Sequence, residues 1–133
     1  MTPPIDIDDK SLPTPDPGTA QIVRTYGPGR FLISELEWRE PVLVTPSATA
    51  PLGISRAEDI TPDTLAFLKT LPTPTELLVV GCGARAVFVP PGKRAVLKAA
   101  GLALEVVDTG SACRIYNVLL AEGRRVAAVL IPL

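Results

Sequence analysis

Residues 77–130, LLVVGCGARAVFVPPGKRAVLKAAGLALEVVDTGSACRIYNVLLAEGRRVAAVL, alternate short apolar runs with amphipathic segments, and that alternation decides the fold. ELLVVG (76–81), LALEVVD (102–108) and RVAAVLIPL (125–133) are bounded by turn residues and read as buried strands. A strand covered on both faces carries a continuous apolar run. Between the first two lies PPGKRAVLKAAG (90–101), with proline at its start, Val96, Leu97 and Ala100 on one side, and Gly101 as C-cap. Between the last two lies SACRIYNVLLAEG (111–123), with Ala112, Ile115, Tyr116, Leu119 and Leu120 apolar and Gly123 as stop signal. Strand, helix, strand, helix, strand is the signature of a parallel α/β sheet with right-handed crossovers.

The amino-terminal half reads differently. AQIVRTY (20–26) and RFLISELEW (30–38) flank GPG (27–29) as two strands flank a tight turn, and EPVLVTP (40–46) supplies a third strand. These add antiparallel strands or a separate small sheet. ITPDTLAFLKTL (60–71) is expected to be a short helix, with Thr61 as N-cap, Pro62 at its first position, and Leu65, Phe67, Leu68 and Leu71 on its apolar side. The opening MTPPIDIDDKSLPTPDPG is rich in proline and aspartate without apolar periodicity, so it is expected to be extended or disordered. The layout is therefore a lead over 1–19 and a single α/β domain over 20–133.

Bulk properties narrow the function. With 133 residues, 47% hydrophobic and 20% charged, the chain is long enough for one real core. A net charge of -1, with no basic cluster longer than Lys93-Arg94 and Arg124-Arg125, gives no footprint for nucleic acid. No apolar run approaches the roughly 18 residues of a membrane span, and no signal-peptide pattern opens the chain, so a soluble cytoplasmic protein is expected. Two cysteines make no disulfide framework, and the absence of histidine excludes Ser-His-Asp and Cys-His hydrolases and histidine-ligated zinc sites.

Three motifs look like chemistry. Gly81, Gly83 and Ala86 fit the dinucleotide-binding spacing G-x-G-x-x-[GA], with Glu105 about twenty residues on, where a ribose-binding acid would stand. In that motif the glycines open a helix directly, because the first-turn N–H groups hold the pyrophosphate. Here ARAVFVPP follows, β-branched and ended by Pro90 and Pro91, so the helix is expected to begin near Pro91 and the glycines to serve a sharp turn. VVDTGSA (106–112) resembles the active-site loop of aspartic proteases, which share a proton between two aspartates. A single copy followed by a helical pattern instead reads as a strand end and helix cap, Thr109 or Ser111 accepting from a first-turn N–H and Asp108 favouring the positive helix end.

The third is the polar set at the strand ends. In a parallel α/β sheet the loops after the strands form the usual crevice, here Gly81, Cys82, Gly83, Asp108, Thr109, Ser111, Arg114 and Asn117. Arg114 and Asn117 are three apart and share a helix face. Arg114 reads either as a structural partner of Asp108 or Glu122 or as an anion- or partner-recognition group. Cys82 and Cys113 read as two small buried thiols or, if adjacent, as a redox pair.

At GCGARAVFVPP, YGPGRFLI and GLALEVVDTGSACRIYNVLLAEGRRVAAVLIPL, the chain resembles a family of small α/β domains of unknown function first seen in methanogens. That family includes mitochondrial respiratory complex I assembly factor 3 and an adipogenesis-associated cytosolic protein. The resemblance runs from about Gln21 to Leu133 and is most specific over Asp108 to Gly123. Asp108, Thr109, Ala112, Arg114, Tyr116, Asn117, Glu122, Gly123 and Arg124 stand at the matching positions, while Ile115 departs and Cys82 often appears as threonine. The resemblance implies a three-layer fold with a mixed central sheet, parallel βαβ units in the C-terminal half and antiparallel hairpin strands in the N-terminal half. It implies no catalytic residue, cofactor or metal, and a protein partner of unstated identity.

Two functional classes follow: a non-catalytic binding or assembly module acting through protein contacts, or a small-ligand binder or enzyme using the crevice at Gly81–Gly83 and Asp108–Asn117. The missing histidine and the absence of a reaction warranted by fold alone favour the first.

Overall fold

Glycine in the left-handed region at Gly29 (φ 72) closes the turn that joins β2 (Val23–Gly27) to β3 (Arg30–Ile33). In this computed structural model, which describes residues 10–11, 20–71 and 73–133, the hairpin is the centre of an antiparallel sheet of order β1-β2-β3-β4. Its outer strands are the two-residue β1 (Lys10–Ser11) and β4 (Leu36–Trp38). The expected RFLISELEW strand is broken in two at Ser34, whose φ of 53 turns the chain between β3 and β4. The reading of 1–19 as an extended or disordered lead lies, apart from Lys10 and Ser11, outside the described residues.

The second sheet has the order β6-β5-β9-β7-β8, from β5 (Val42–Val44), β6 (Thr49–Pro51), β7 (Leu77–Gly81), β8 (Ala103–Val107) and β9 (Val126–Leu130). β7 pairs parallel with both β8 and β9, and β5 runs antiparallel to β9. This is the mixed α/β architecture expected from the sequence. VAAVL of β9 is buried along its whole length, as a central strand covered on both faces must be, whereas LALEVVD does not give the buried strand expected: β8 lies at the sheet edge with Ala103 and Glu105 exposed.

The strand order explains where the helices go. From β7 the chain steps through α1 (Pro91–Ala99) to β8 on one side, then through α2 (Thr109–Ala121) back past β7 to β9. Two right-handed crossovers in opposite directions place their helices on opposite faces. Accordingly Ala112, Cys113 and Tyr116 of α2 pack with Val79, Ala128 and Leu130, while Leu97 of α1 packs with Leu78, Val80 and Val129. Val23, Tyr26, Phe31 and Ile33 of the hairpin join the α2 side.

The helix expected over 60–71 does not form. The segment holds one 3-10 turn, Ala66–Thr70, preceded by i to i+3 bonded turns such as Leu65 N–H to the Pro62 carbonyl at 3.2 Å, and a second 3-10 turn, Ala57–Asp59, lies just before it. Thr61 does accept from the Thr64 N–H at 3.4 Å, but the Thr64 hydroxyl donates back to the Thr61 carbonyl at 2.7 Å, a local exchange that competes with helix propagation. Leu65 and Leu68 are buried three apart, and a 3-10 turn stacks residues at that spacing.

Candidate functional site

The carboxyl ends of β7, β8 and β9 meet the start of α2, and the sequence at each end permits a close approach. A Cβ on Gly81 would stand 2.9 Å from both the Thr109 Cα and the Ala112 Cβ, so only glycine lets the helix start sit against the strand. Gly83 turns away with φ 95, and the chain runs without helix until Pro91, as the prolines dictate. The glycine turn therefore opens no helix, and the pyrophosphate geometry of a dinucleotide site is not built.

Thr109 joins the three strand ends. Its hydroxyl donates to the Ile131 carbonyl at 2.6 Å and accepts the Gly83 N–H at 2.8 Å, while its own N–H reaches the Gly83 carbonyl at 2.9 Å. It is fully buried. The cap of α2 is Asp108 rather than Thr109 or Ser111: its carboxylate accepts from the Ser111 N–H at 3.0 Å and from the Ser111 hydroxyl at 2.6 Å. These two bonds hold the Asp108 carboxyl below the usual carboxylate range. A carboxylate already satisfied by its own helix is poorly suited to sharing a proton with a second aspartate, as the protease reading requires.

Asn117 does not face the crevice. It is buried one turn further along α2, its Nδ2 donating to the Val23 carbonyl at 2.8 Å and its Oδ1 accepting the Val23 N–H at 3.1 Å. The amide thereby replaces a strand partner for β2, and Tyr116 adds a bond from its hydroxyl to the Gln21 carbonyl at 2.8 Å. The expected shared face of Arg114 and Asn117 is thus divided between surface and interior.

Arg114 is exposed and, among the described residues, forms no ion-pair contact with Asp108 or Glu122, although its charge adds to the lowering of the Asp108 carboxyl. It donates to the Ser111 hydroxyl and to the Tyr26 hydroxyl, each at 3.3 Å. Tyr26 is a member of this set that the sequence did not reveal, lying 88 residues away on the hairpin. Its signal is Gly110: a Cβ there would stand 2.6 Å from the Tyr26 hydroxyl, so the glycine of the DTGSA run makes room for the ring.

The two thiols are not brought together. Cys113 is fully buried on the α2 face, and Cys82 packs against the core on the α1 face. Burial pushes the Cys113 thiol up to about 12 and raises that of Cys82, so neither favours the reactive thiolate. Among the described residues no group of three or more His, Cys, Asp or Glu could hold a metal ion. A cavity of about 430 Å³ opens at the opposite pole, between Leu71, Pro74, Leu120, Arg124 and Val126, away from the expected crevice.

Comparison with known proteins places this architecture. The family model described as protein of unknown function (DUF498/DUF598) matches residues 23–131. An uncharacterized protein of Rhodobacter capsulatus is 40% identical over 109 residues, covering 81% of this chain and 82% of that protein. NADH dehydrogenase (ubiquinone) 1 alpha subcomplex assembly factor 3 of Xenopus tropicalis is 32% identical over 117 residues, which are 88% of this chain. The match covers 64% of that assembly factor, so the chain spans less than two thirds of its length. The solution NMR structure of a Bordetella pertussis protein described as an Mth938-like domain superposes with a TM-score of 0.74 at 31% identity, covering 92% of each chain. The match over residues 23–131, on a fold that superposes with solved relatives, shows that the chain belongs to the DUF498/DUF598 family.

Proposed function

We propose that this chain is a non-catalytic, assembly-factor-like module that acts in the cytoplasm through contacts with another protein, its residues 20–133 forming one domain. The observation that carries this reading is the state of the groups at the strand ends. Thr109 is bonded to backbone and buried, Asp108 is bonded to its own helix, and Asn117 is turned away to the Val23 backbone. Every titratable group there whose affinity for protons shifts moves away from reactivity: a weaker base at Asp108, less acidic thiols at Cys82 and Cys113. The assembly-factor names of several relatives agree with this reading. A near-neutral charge of -1 supports a protein rather than a nucleic acid as partner.

A second reading, a small-ligand site, rests on Arg114, an exposed guanidinium beside Ser111 and Asp108 with no carboxylate paired to it among the described residues. Affinity purification from extract of the source organism, alongside a thermal-shift screen of nucleotides and metabolites, separates the two. A reproducible protein partner without ligand stabilisation supports the assembly reading. Large stabilisation by one metabolite, abolished by Arg114→Ala and with no partner recovered, overturns it.

A further inference from the structure

Helix α1 flanks the second sheet yet buries one side chain, Leu97. Nine residues are too few to hold a helix in water unaided, and a sheet-flanking helix ordinarily buries a broad apolar stripe. Here Val96 is 53% exposed, and Phe88, three residues before the helix, is 79% exposed. At about 100° per residue, Val96 falls on one flank of Leu97, Arg94 and Lys98 on the other, and Ala95 and Ala99 along the outermost line. Beside Val96 the surface sinks into a depression of about 260 Å³ walled by Ile60, Pro62 and Leu97.

Positive charge is concentrated in the same segment of the chain. Residues 84–104 carry Arg85, Lys93, Arg94 and Lys98 and no carboxylate, while the rest of the chain holds nine bases and fourteen acids. Lys93 donates to the Glu58 backbone carbonyl, and Asp59 nearby is taken up by Arg56. The side chains of Arg85, Arg94 and Lys98 make no hydrogen bond or ion pair among the described residues. An apolar flank, a line of small residues and a row of uncompensated cations complement an acidic amphipathic surface, whose carboxylates would steer and orient it.

We infer that this face docks an acidic amphipathic helix of a partner protein, an apolar side chain filling the depression beside Val96 and carboxylates pairing with Arg94 and Lys98. The inference rests on the protein-contact reading and names the chemistry of the partner. The test is photo-crosslinking of the full chain in cells of its source organism, with p-benzoylphenylalanine incorporated at Ala95 and, separately, at Leu36, which is exposed on β4. The expected result is one discrete protein adduct at Ala95, joined through an acidic peptide. The double variant Arg94→Glu with Lys98→Glu, folded as judged by an unchanged melting temperature, should reduce that adduct about tenfold or more. A lipid or nucleic-acid adduct, an adduct to a second copy of the chain, or a protein adduct indifferent to the charge reversal overturns the proposal. A protein adduct at Leu36 with none at Ala95 overturns this surface while leaving the protein-contact reading standing.

Discussion

The Thr109 hydroxyl accepts the Gly83 N–H at 2.8 Å and so fastens the start of α2 to the turn that follows β7. The same hydroxyl donates to the Ile131 carbonyl at 2.6 Å beyond β9. One side chain therefore satisfies two buried backbone groups at the place where three parallel strands end. Thr109→Val keeps the shape and removes both bonds, leaving the Gly83 donor and the Ile131 acceptor unpaired. The expected loss is about 2 to 4 kcal/mol of unfolding free energy, read by urea denaturation. A loss within experimental error would show that the turn and helix are held by packing alone.

Asn117 performs the corresponding task between α2 and the first sheet. Asn117→Ala leaves the Val23 N–H and C=O without partners inside the core, at an expected destabilisation of about 2 to 4 kcal/mol. Amide hydrogen exchange localises the effect: protection across β2 should fall more than protection across β9. Uniform loss through both sheets would contradict a local role.

Asp108 gives the fold a dependence on acid. Its carboxyl titrates below the ordinary range because the Ser111 hydroxyl and N–H bond to the charged form. A group whose folded-state affinity for protons is depressed contributes stability that is present above the unfolded value, about 4, and lost as pH falls through the folded value. Asp108→Asn retains a capping oxygen and cannot titrate. On lowering the pH from about 6 toward 3, the melting temperature of the parent should drop further than that of the variant. Parallel curves would remove the Asp108 contribution.

Thiol chemistry distinguishes the two cysteines. With its thiol pushed up to about 12 inside the α2 face, Cys113 should stay unmodified by a disulfide reagent at pH about 8 until the chain unfolds. Half-buried Cys82 should react first, and slowly, since burial raises it too. Formation of a Cys82–Cys113 disulfide in the folded protein would contradict their placement on opposite faces of the sheet.

The strand, helix, strand, helix, strand order was legible because it rests on local signals: continuous apolar runs at β7, β8 and β9, Pro91 opening α1, and glycines following both helices. The helix start at Pro91 was legible for the same reason, and with it the failure of the glycine motif. What stayed hidden depends on contacts distant in sequence. Nothing local tells that Asn117 would bond to Val23, or that Tyr26 would reach Arg114 across 88 residues. Thr109 has the residue type and position of a helix cap. The neighbouring Asp108 took that role, freeing the hydroxyl for Ile131. The 60–71 segment carries an α-helical signal because Leu65, Leu68 and Leu71 fit an amphipathic helix as well as a 3-10 turn, and the Thr61–Thr64 exchange decides between them.

The central claim is that this chain works by binding another protein. Size-exclusion chromatography of gently prepared extract from the source organism, with the purified chain run beside it, tests this most directly. The account predicts that the endogenous chain elutes ahead of the purified one, together with a second protein at constant stoichiometry across the peak. Co-elution of the two as the same species, free of any second protein, would contradict it.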